Sequence, residues 1–191
     1  MTEEYYKKQL KKKTELIKQY RSQIELLKKE VEFYKKEAYI DSLTKLNNRR
    51  SIENASDYDS VILGDIDDFK KINDIYGHNV GDLVLVDISN VFKKIVRKSD
   101  LVCRWGGEEF LVLLKNCNNE KAYKKALRLK EEIVKLSEKF GFKITMSFGI
   151  SKISDSTLKD AIDMADRAMY ESKENGKNTI TVYKLKKTID F

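Results

Sequence analysis

The sequence predicts an α/β (α+β) chain, a ferredoxin-like, palm-type sandwich of βαββαβ order preceded by a long N-terminal coiled-coil helix. Three features predict it. Residues 3–39 hold neither glycine nor proline and carry an apolar heptad. From residue 40 onward, short apolar runs alternate with segments of helical period. Between two of those runs stands a Gly-Gly pair, a hairpin signal.

In the first segment Leu10, Ile17, Ile24, Val31 and Ala38 recur every seven residues, and Lys13, Tyr20, Leu27 and Tyr34 recur at the same interval, offset by three. These are a and d positions. β-Branched residues at a, with leucine among the d residues, favour a parallel two-stranded coil. The rest of the segment is mostly Lys, Glu and Gln, too polar to hold a lone helix rigid. A homodimer through this coil is therefore expected; a helix folded back on its own domain is the other arrangement the pattern allows. The expected division is a dimerising helix over residues 1–39 and one globular domain over residues 40–191.

In the globular part, residues 48–54 suit a short helix and Ser60–Asp65 a buried strand. Phe69–Tyr76 suits one or two helical turns, and Val80–Val96 is helical in period. Leu101–Trp105 and Glu108–Leu114 flank Gly106-Gly107 as strand, tight turn, strand. Glu120–Phe140 reads as a helix with Ala122, Ala126, Leu129, Ile133 and Leu136 on one face, and Lys143–Ser151 as a strand. Leu158–Glu174 is a helix stopped by Asn175-Gly176, and Thr179–Leu185 a closing strand.

Composition narrows the function. The chain has 191 residues, 36% charged and 41% hydrophobic, enough for one core and an appendage. No run of about 18 apolar residues offers a membrane span. The first residues lack the apolar core of a secretory signal. Two cysteines, Cys103 and Cys117, are too few for a stapled secreted scaffold, so a reducing cytoplasm is expected. A single histidine, His78, excludes a multi-His metal site. The net charge of +7 is spread among interspersed signs, with no basic tract carrying interleaved aromatics, so no nucleic-acid partner is expected.

Acidic residues gather at two places. Asp65, Asp67 and Asp68 end the first strand, and Glu108 and Glu109 follow the Gly-Gly pair. If strand and hairpin are sheet neighbours, these carboxylates meet, and such a cluster repels itself unless a cation sits within it. Hard oxygen donors suit Mg²⁺ or Mn²⁺, which take substrate phosphates as further ligands. Gly106 and Gly107 allow close approach of a nucleotide. A helix start at Phe69, with Lys70 and Lys71, offers N–H groups and charge to phosphate. A solvated acidic turn is the competing reading at this point.

The motifs then add a resemblance. Arg104-Trp-Gly-Gly-Glu-Glu-Phe110 resembles the signature of the GGDEF-domain diguanylate cyclases in its GGEEF form. Asp65-Ile-Asp-Asp-Phe-Lys-Lys-Ile-Asn-Asp74, Tyr76-Gly-His-Asn-Val-Gly-Asp82, Asp41-Ser-Leu-Thr-Lys-Leu-Asn-Asn-Arg-Arg50, Ser147-Phe-Gly-Ile-Ser151 and Ala165-Asp-Arg-Ala-Met-Tyr170, with Lys173 and Asn175-Gly-Lys-Asn178, are similar to further family segments in the same order.

The resemblance implies condensation of two GTP into cyclic di-GMP and two pyrophosphates, across a dimer in which each protomer binds one GTP. It implies two Mg²⁺ or Mn²⁺ ions per site, held by Asp65, the carbonyl of Ile66 and Glu108, with Glu109 in support. Glu108, Asp65 and Lys70 would be the catalytic residues. Asn73 and Asp82 would read guanine, whose N1–H and N2–H₂ suit a carboxylate acceptor. The backbone at Asp68 and Phe69, with Lys70, Lys173 and Lys177, would hold the triphosphate beside Gly106 and Gly107. Arg97-Lys-Ser-Asp100 resembles the family's RxxD inhibitory site, implying that cyclic di-GMP is also an inhibitor, bound by Arg97 and Asp100.

Four departures stand out: Lys45 where glycine is usual, a short first helix before Asp65, Asp68 in place of a small or apolar residue, and Lys177 in place of arginine. None removes an implied metal ligand. A nucleotide or cyclic di-GMP receptor, a cyclic-dinucleotide synthase using ATP, and a coiled-coil adaptor are the alternative functions. His78 is expected to brace the Gly77–Gly81 turn, and Trp105 and Cys103 to pack.

Overall fold

The computed structural model describes residues 3–52, 55–153 and 157–184, the Lys36 side chain excepted. The chain falls into two compact units, Met1–Tyr39 and Ile40–Phe191. The first is one helix, α1 (Glu3–Tyr39). Its 37 residues make a rod about 55 Å long at 1.5 Å per residue. Leu10, Ile17, Ile24 and Val31 are each at least half exposed on it.

The second unit is built on one sheet. Its elements run β1 (Asn47–Asn48), a 3₁₀ turn (Arg49–Ile52), β2 (Ser60–Ile66), α2 (Phe69–Tyr76), α3 (His78–Ile95), β3 (Leu101–Arg104), β4 (Glu109–Leu114), α4 (Asn119–Phe140), β5 (Met146–Lys152), α5 (Leu158–Glu174) and β6 (Ile180–Val182). The six strands lie in the order β1-β3-β4-β2-β5-β6. The central β3-β4-β2-β5 set, all antiparallel pairs, is the predicted ferredoxin-like core. β1 and β6 add parallel to its two sides.

Burial on both faces explains the unbroken apolar runs. All seven residues of β2 are buried, because α3 and α4 cover one face and α5 the other. Ile62, Phe110, Val112 and Phe148 pack with Phe92 of α3 and Leu129 of α4. Val61, Leu63, Leu111 and Leu113 pack with Ala161, Ala165 and Met169 of α5. α5 lies very close to β5, since a Cβ on Gly149 would strike the Ala165 carbonyl and the Met169 amide. Caps set the helix starts: Asn118 accepts from Lys121 N at α4, and Thr157 with Asp160 forms a capping box at α5.

The differences from expectation are local. The 48–54 helix is a 3₁₀ turn of four residues preceded by the unpredicted β1, and residue 54 lies outside the described residues. α3 starts at His78, so Gly81 lies within a helix and His78 opens that helix instead of bracing a turn. Gly106-Gly107 is no tight two-residue turn: residues 105–108 connect the strands, and neither glycine has positive φ. The closing strand is limited to Ile180–Val182, with residue 185 outside the described residues.

Candidate active site

Strand register brings the two acidic groups together. Asp65, the penultimate residue of β2, lies directly opposite Glu109 of β4 and Ser147 of β5. Directly opposed residues of an antiparallel pair project to the same face. That is the α5 face, because Val61, Leu63, Leu111 and Leu113 of the same strand parity pack there. Glu108 precedes β4 and its carbonyl accepts from Ile66 N at 3.3 Å. Lys173, in the last turn of α5, places its ammonium 2.8 Å from Asp65 Oδ1.

Burial is the largest influence on these carboxyls. Asp65 is only 5% exposed. Burial raises its pKa, Lys173 pulls it back in part, and Asp67 and Asp166 push it up again. The Glu108 and Glu109 carboxyls are likewise raised, first by burial and then by the Asp65 charge. The Asp65 Oδ1 oxygen, although ion-paired, accepts no hydrogen bond of good geometry. Among the described residues no three His, Cys, Asp or Glu side chains form a metal cage by themselves.

The aspartates of the 65–68 segment separate into three roles. Asp67, expected in the acidic cluster, is a buried brace: it accepts from Thr145 Oγ1 and Ser147 Oγ at 2.7 Å and from Asn178 N at 2.9 Å. Asp68 sits in the left-handed region, φ 55°, just before α2. It pairs with Lys71 and Lys177, each at 2.8 Å, and these partners bring its pKa down to about 2. The carbonyl of Asp68 takes the amides of Lys71 and Ile72, leaving the first N–H groups of α2 without an intrahelical acceptor. The Phe69 ring is buried and Lys70 is exposed. A cavity of about 270 Å³ beside this end is lined by Asp67, Asp68, Lys71, Tyr76, Phe142 and Lys177.

Asn73 of α2 packs against α3, where a Cβ on Gly81 would collide with its carboxamide oxygen. Asp82 follows at once, exposed in the first turns of α3. The Gly-Gly loop is clasped from below. Arg104 donates to the Gly107 carbonyl through Nε at 3.1 Å and Nη2 at 2.7 Å, while Nη1 lies 3.4 Å from Asp41. Gly106 is close to Glu109, whose carboxylate fills the space a Cβ would need. Trp105 is covered by the Arg49 guanidinium at 4.3 Å.

Arg97 and Asp100 lie apart from this group, between α3 and β3. Arg97 is exposed, but the Asp100 side chain is 2% exposed and held by Lys125 at 2.8 Å. It also accepts from Lys115 N and Arg97 N. Sequence reasoning missed this closure, the bracing role of Asp67, and the parts played by Asp166, Arg104 and Lys125. Asp67 lies one residue beyond β2 and Thr145 one residue before β5, so the brace forms where these two strand ends meet.

A model of the family described as "Diguanylate cyclase, GGDEF domain" matches residues 38–179. The chain belongs to that family. GGDEF relatives include diguanylate cyclase A of Treponema denticola, 38% identical over 130 residues, which cover 65% of this chain and 35% of that protein. Diguanylate cyclase DosC of Escherichia coli is 34% identical over 181 residues, covering 85% of this chain and 39% of DosC. The chain thus spans well under half the length of these relatives.

Among solved GGDEF structures, diguanylate cyclase SiaD of Pseudomonas aeruginosa, in complex with its activator SiaC, aligns with TM-score 0.72 and 27% identity. That alignment covers 94% of this chain and 75% of SiaD. The coiled coil and GGDEF domain of DgcB from Caulobacter crescentus, in complex with c-di-GMP, aligns with TM-score 0.77 at 23% identity, covering 87% of this chain and 96% of that one. At that identity the likeness is one of fold.

Proposed function

We propose that this chain is a diguanylate cyclase, joining two GTP into cyclic di-GMP with release of two pyrophosphates. The observation that carries the reading is the cross-strand placement of Asp65 beside Glu109, with Glu108 at the Gly-Gly loop and the α2 N-terminus close by. The donor set fits Mg²⁺ or Mn²⁺: hard oxygens, one of them the buried Asp65 Oδ1, which already faces a cation, the Lys173 ammonium at 2.8 Å. Asp65, the Ile66 carbonyl and Glu108 would hold two such ions, with Glu109 in support. Bound there, they would supply Lewis-acid stabilisation of phosphoryl oxygens. Two carboxylates and a carbonyl leave coordination positions for substrate phosphate.

The chain's own residues bind and orient. Asn73, held against Gly81, and Asp82 face the guanine edge. The amides at Asp68 and Phe69, with Lys70, Lys173 and Lys177, take the triphosphate. In each of two successive steps the 3′-oxygen of one nucleotide bonds to the α-phosphorus of the other, and the bond to pyrophosphate breaks. Glu108 would aid loss of the hydroxyl proton, acting mainly through the bound metal. Ring closure needs two such sites face to face, which is the role we give to dimerisation through α1.

Arg97 and Asp100 are proposed to bind the product, at the expense of the Asp100–Lys125 pair. The two buried free thiols, Cys103 and Cys117, suit a reducing cytoplasm. The deciding experiment is incubation with Mg²⁺ and each nucleoside triphosphate, singly and mixed, with products identified by mass. Cyclic di-GMP from GTP alone is expected; products only from ATP, or none, would refute the reading.

A further inference from the structure

Lys173 occupies the oxygen that a divalent ion would use. Its ammonium lies 2.8 Å from Asp65 Oδ1, and that buried oxygen has no hydrogen bond of good geometry to compete with it. Glu108, Glu109 and Asp166 add negative charge to the same spot, and Lys173 is the cation that acts on Asp65, Glu108 and Glu109 alike. A cation beside Asp65 and a second cation arriving at the same carboxylate disfavour each other.

The lysine is anchored at one end and free at the other. α5 is pressed onto β5 at Gly149, which fixes the helix that carries it. Its side chain is nonetheless 32% exposed, and a four-carbon stem lets the ammonium travel. A triphosphate arriving at the α2 N-terminus would present a more highly charged anion within reach of that stem.

Resting on the function proposed above, we infer that Lys173 is a nucleotide-operated gate on the metal site. It competes with the divalent cation for Asp65 and yields when a triphosphate draws it away. Metal and nucleotide are then coupled, each raising the other's affinity by the same factor. Lys173 serves twice, as the counter-ion of Asp65 before the nucleotide arrives and as a phosphate ligand afterwards.

The test is Mn²⁺ binding to the full chain, read from the free-ion electron paramagnetic resonance signal. It is run alone and with 3′-deoxy-GTP, which lacks the attacking hydroxyl, and a protein-free titration is subtracted to remove the Mn²⁺ that the nucleotide itself binds. In the wild type, 3′-deoxy-GTP should tighten Mn²⁺ binding by roughly tenfold or more. Lys173→Met should bind Mn²⁺ alone roughly tenfold more tightly than wild type, and its gain from the nucleotide should be smaller than the wild type's, keeping only the part that phosphate oxygens supply as metal ligands. Lys173→Gln should repeat that behaviour, and Lys173→Arg, which keeps the charge, should stay coupled; circular dichroism establishes that each variant is folded. If Mn²⁺ binds in the presence of 3′-deoxy-GTP but both uncharged variants match the wild type without it, the gate is overturned and the metal–nucleotide site stands. If no protein binds Mn²⁺ under either condition, both readings fall.

Discussion

Arg104 joins the opening turn of the globular unit to the Gly-Gly loop. One guanidinium meets the Asp41 carboxylate at 3.4 Å and the Gly107 carbonyl at 2.7 and 3.1 Å. Asp41 in turn accepts from the amide and hydroxyl of Thr44 at 2.8 and 2.7 Å. Burial alone would raise the Asp41 pKa, but the Thr44 and Arg104 hydrogen bonds outweigh it and hold it low. The stabilisation is therefore present above the unfolded carboxylate value and is lost as pH falls through the folded one.

A lysine at position 104 keeps the charge but cannot serve both acceptors with a fixed fork. Arg104→Lys should lower cyclic di-GMP formation by roughly tenfold, because the loop next to Glu108 loses its orientation. The melting temperature should fall by only a few degrees, about 1 kcal/mol. Unchanged turnover would show that the clasp has no part in orienting the loop.

Asp65 should trade stability for function. Its folded pKa is raised, so the charged form is disfavoured by folding; the cost appears as pH rises through the folded value and vanishes below the unfolded one. Asp65→Asn should abolish turnover while stabilising the domain by about 1 kcal/mol at neutral pH. Denaturant melts at pH 7 and pH 3.5 check this: the two proteins should differ at the first and converge at the second. A less stable Asp65→Asn at pH 7 would mean that the Lys173 pair outweighs burial.

Lys45 lies in the left-handed region, φ 55°, where a side chain costs energy that glycine avoids. Lys45→Gly should stabilise the domain by about 1 kcal/mol, offset in part by the entropy glycine loses on folding. Urea titration reads this directly, and a lower midpoint would refute it.

Dimerisation through α1 predicts that a charge in the a row breaks the assembly. Ile24→Glu in the full chain should shift sedimentation toward monomer at micromolar protein. Specific activity should then rise steeply with concentration, since two sites must meet. Wild-type activity at nanomolar concentration in this variant would refute the dimer requirement.

The legible parts of the fold are those set by local pattern. The run Ser60–Asp65 announces a strand covered on both faces, and β2 is such a strand. The spacing of Ala122, Ala126, Leu129, Ile133 and Leu136 announces the inward stripe of α4; the first four are buried and Leu136 is partly buried. The Gly-Gly hairpin was legible as a reversal but not in its geometry. Its glycines serve the approach of Glu109 and the hold of Arg104, which depend on residues outside the turn.

The residues themselves determined the order of elements, the heptad of α1 and the positions at which carboxylates, glycines and lysines stand. Those features arise from periodicity and turn chemistry, which act over a few residues. Only the tertiary structure decided which charges meet. Strand register set Asp65 against Glu109, the close approach of α5 at Gly149 brought Lys173 to Asp65, and packing of α4 closed Lys125 over Asp100. Pairings between residues distant in the chain depend on register and helix depth, and no local spacing encodes either.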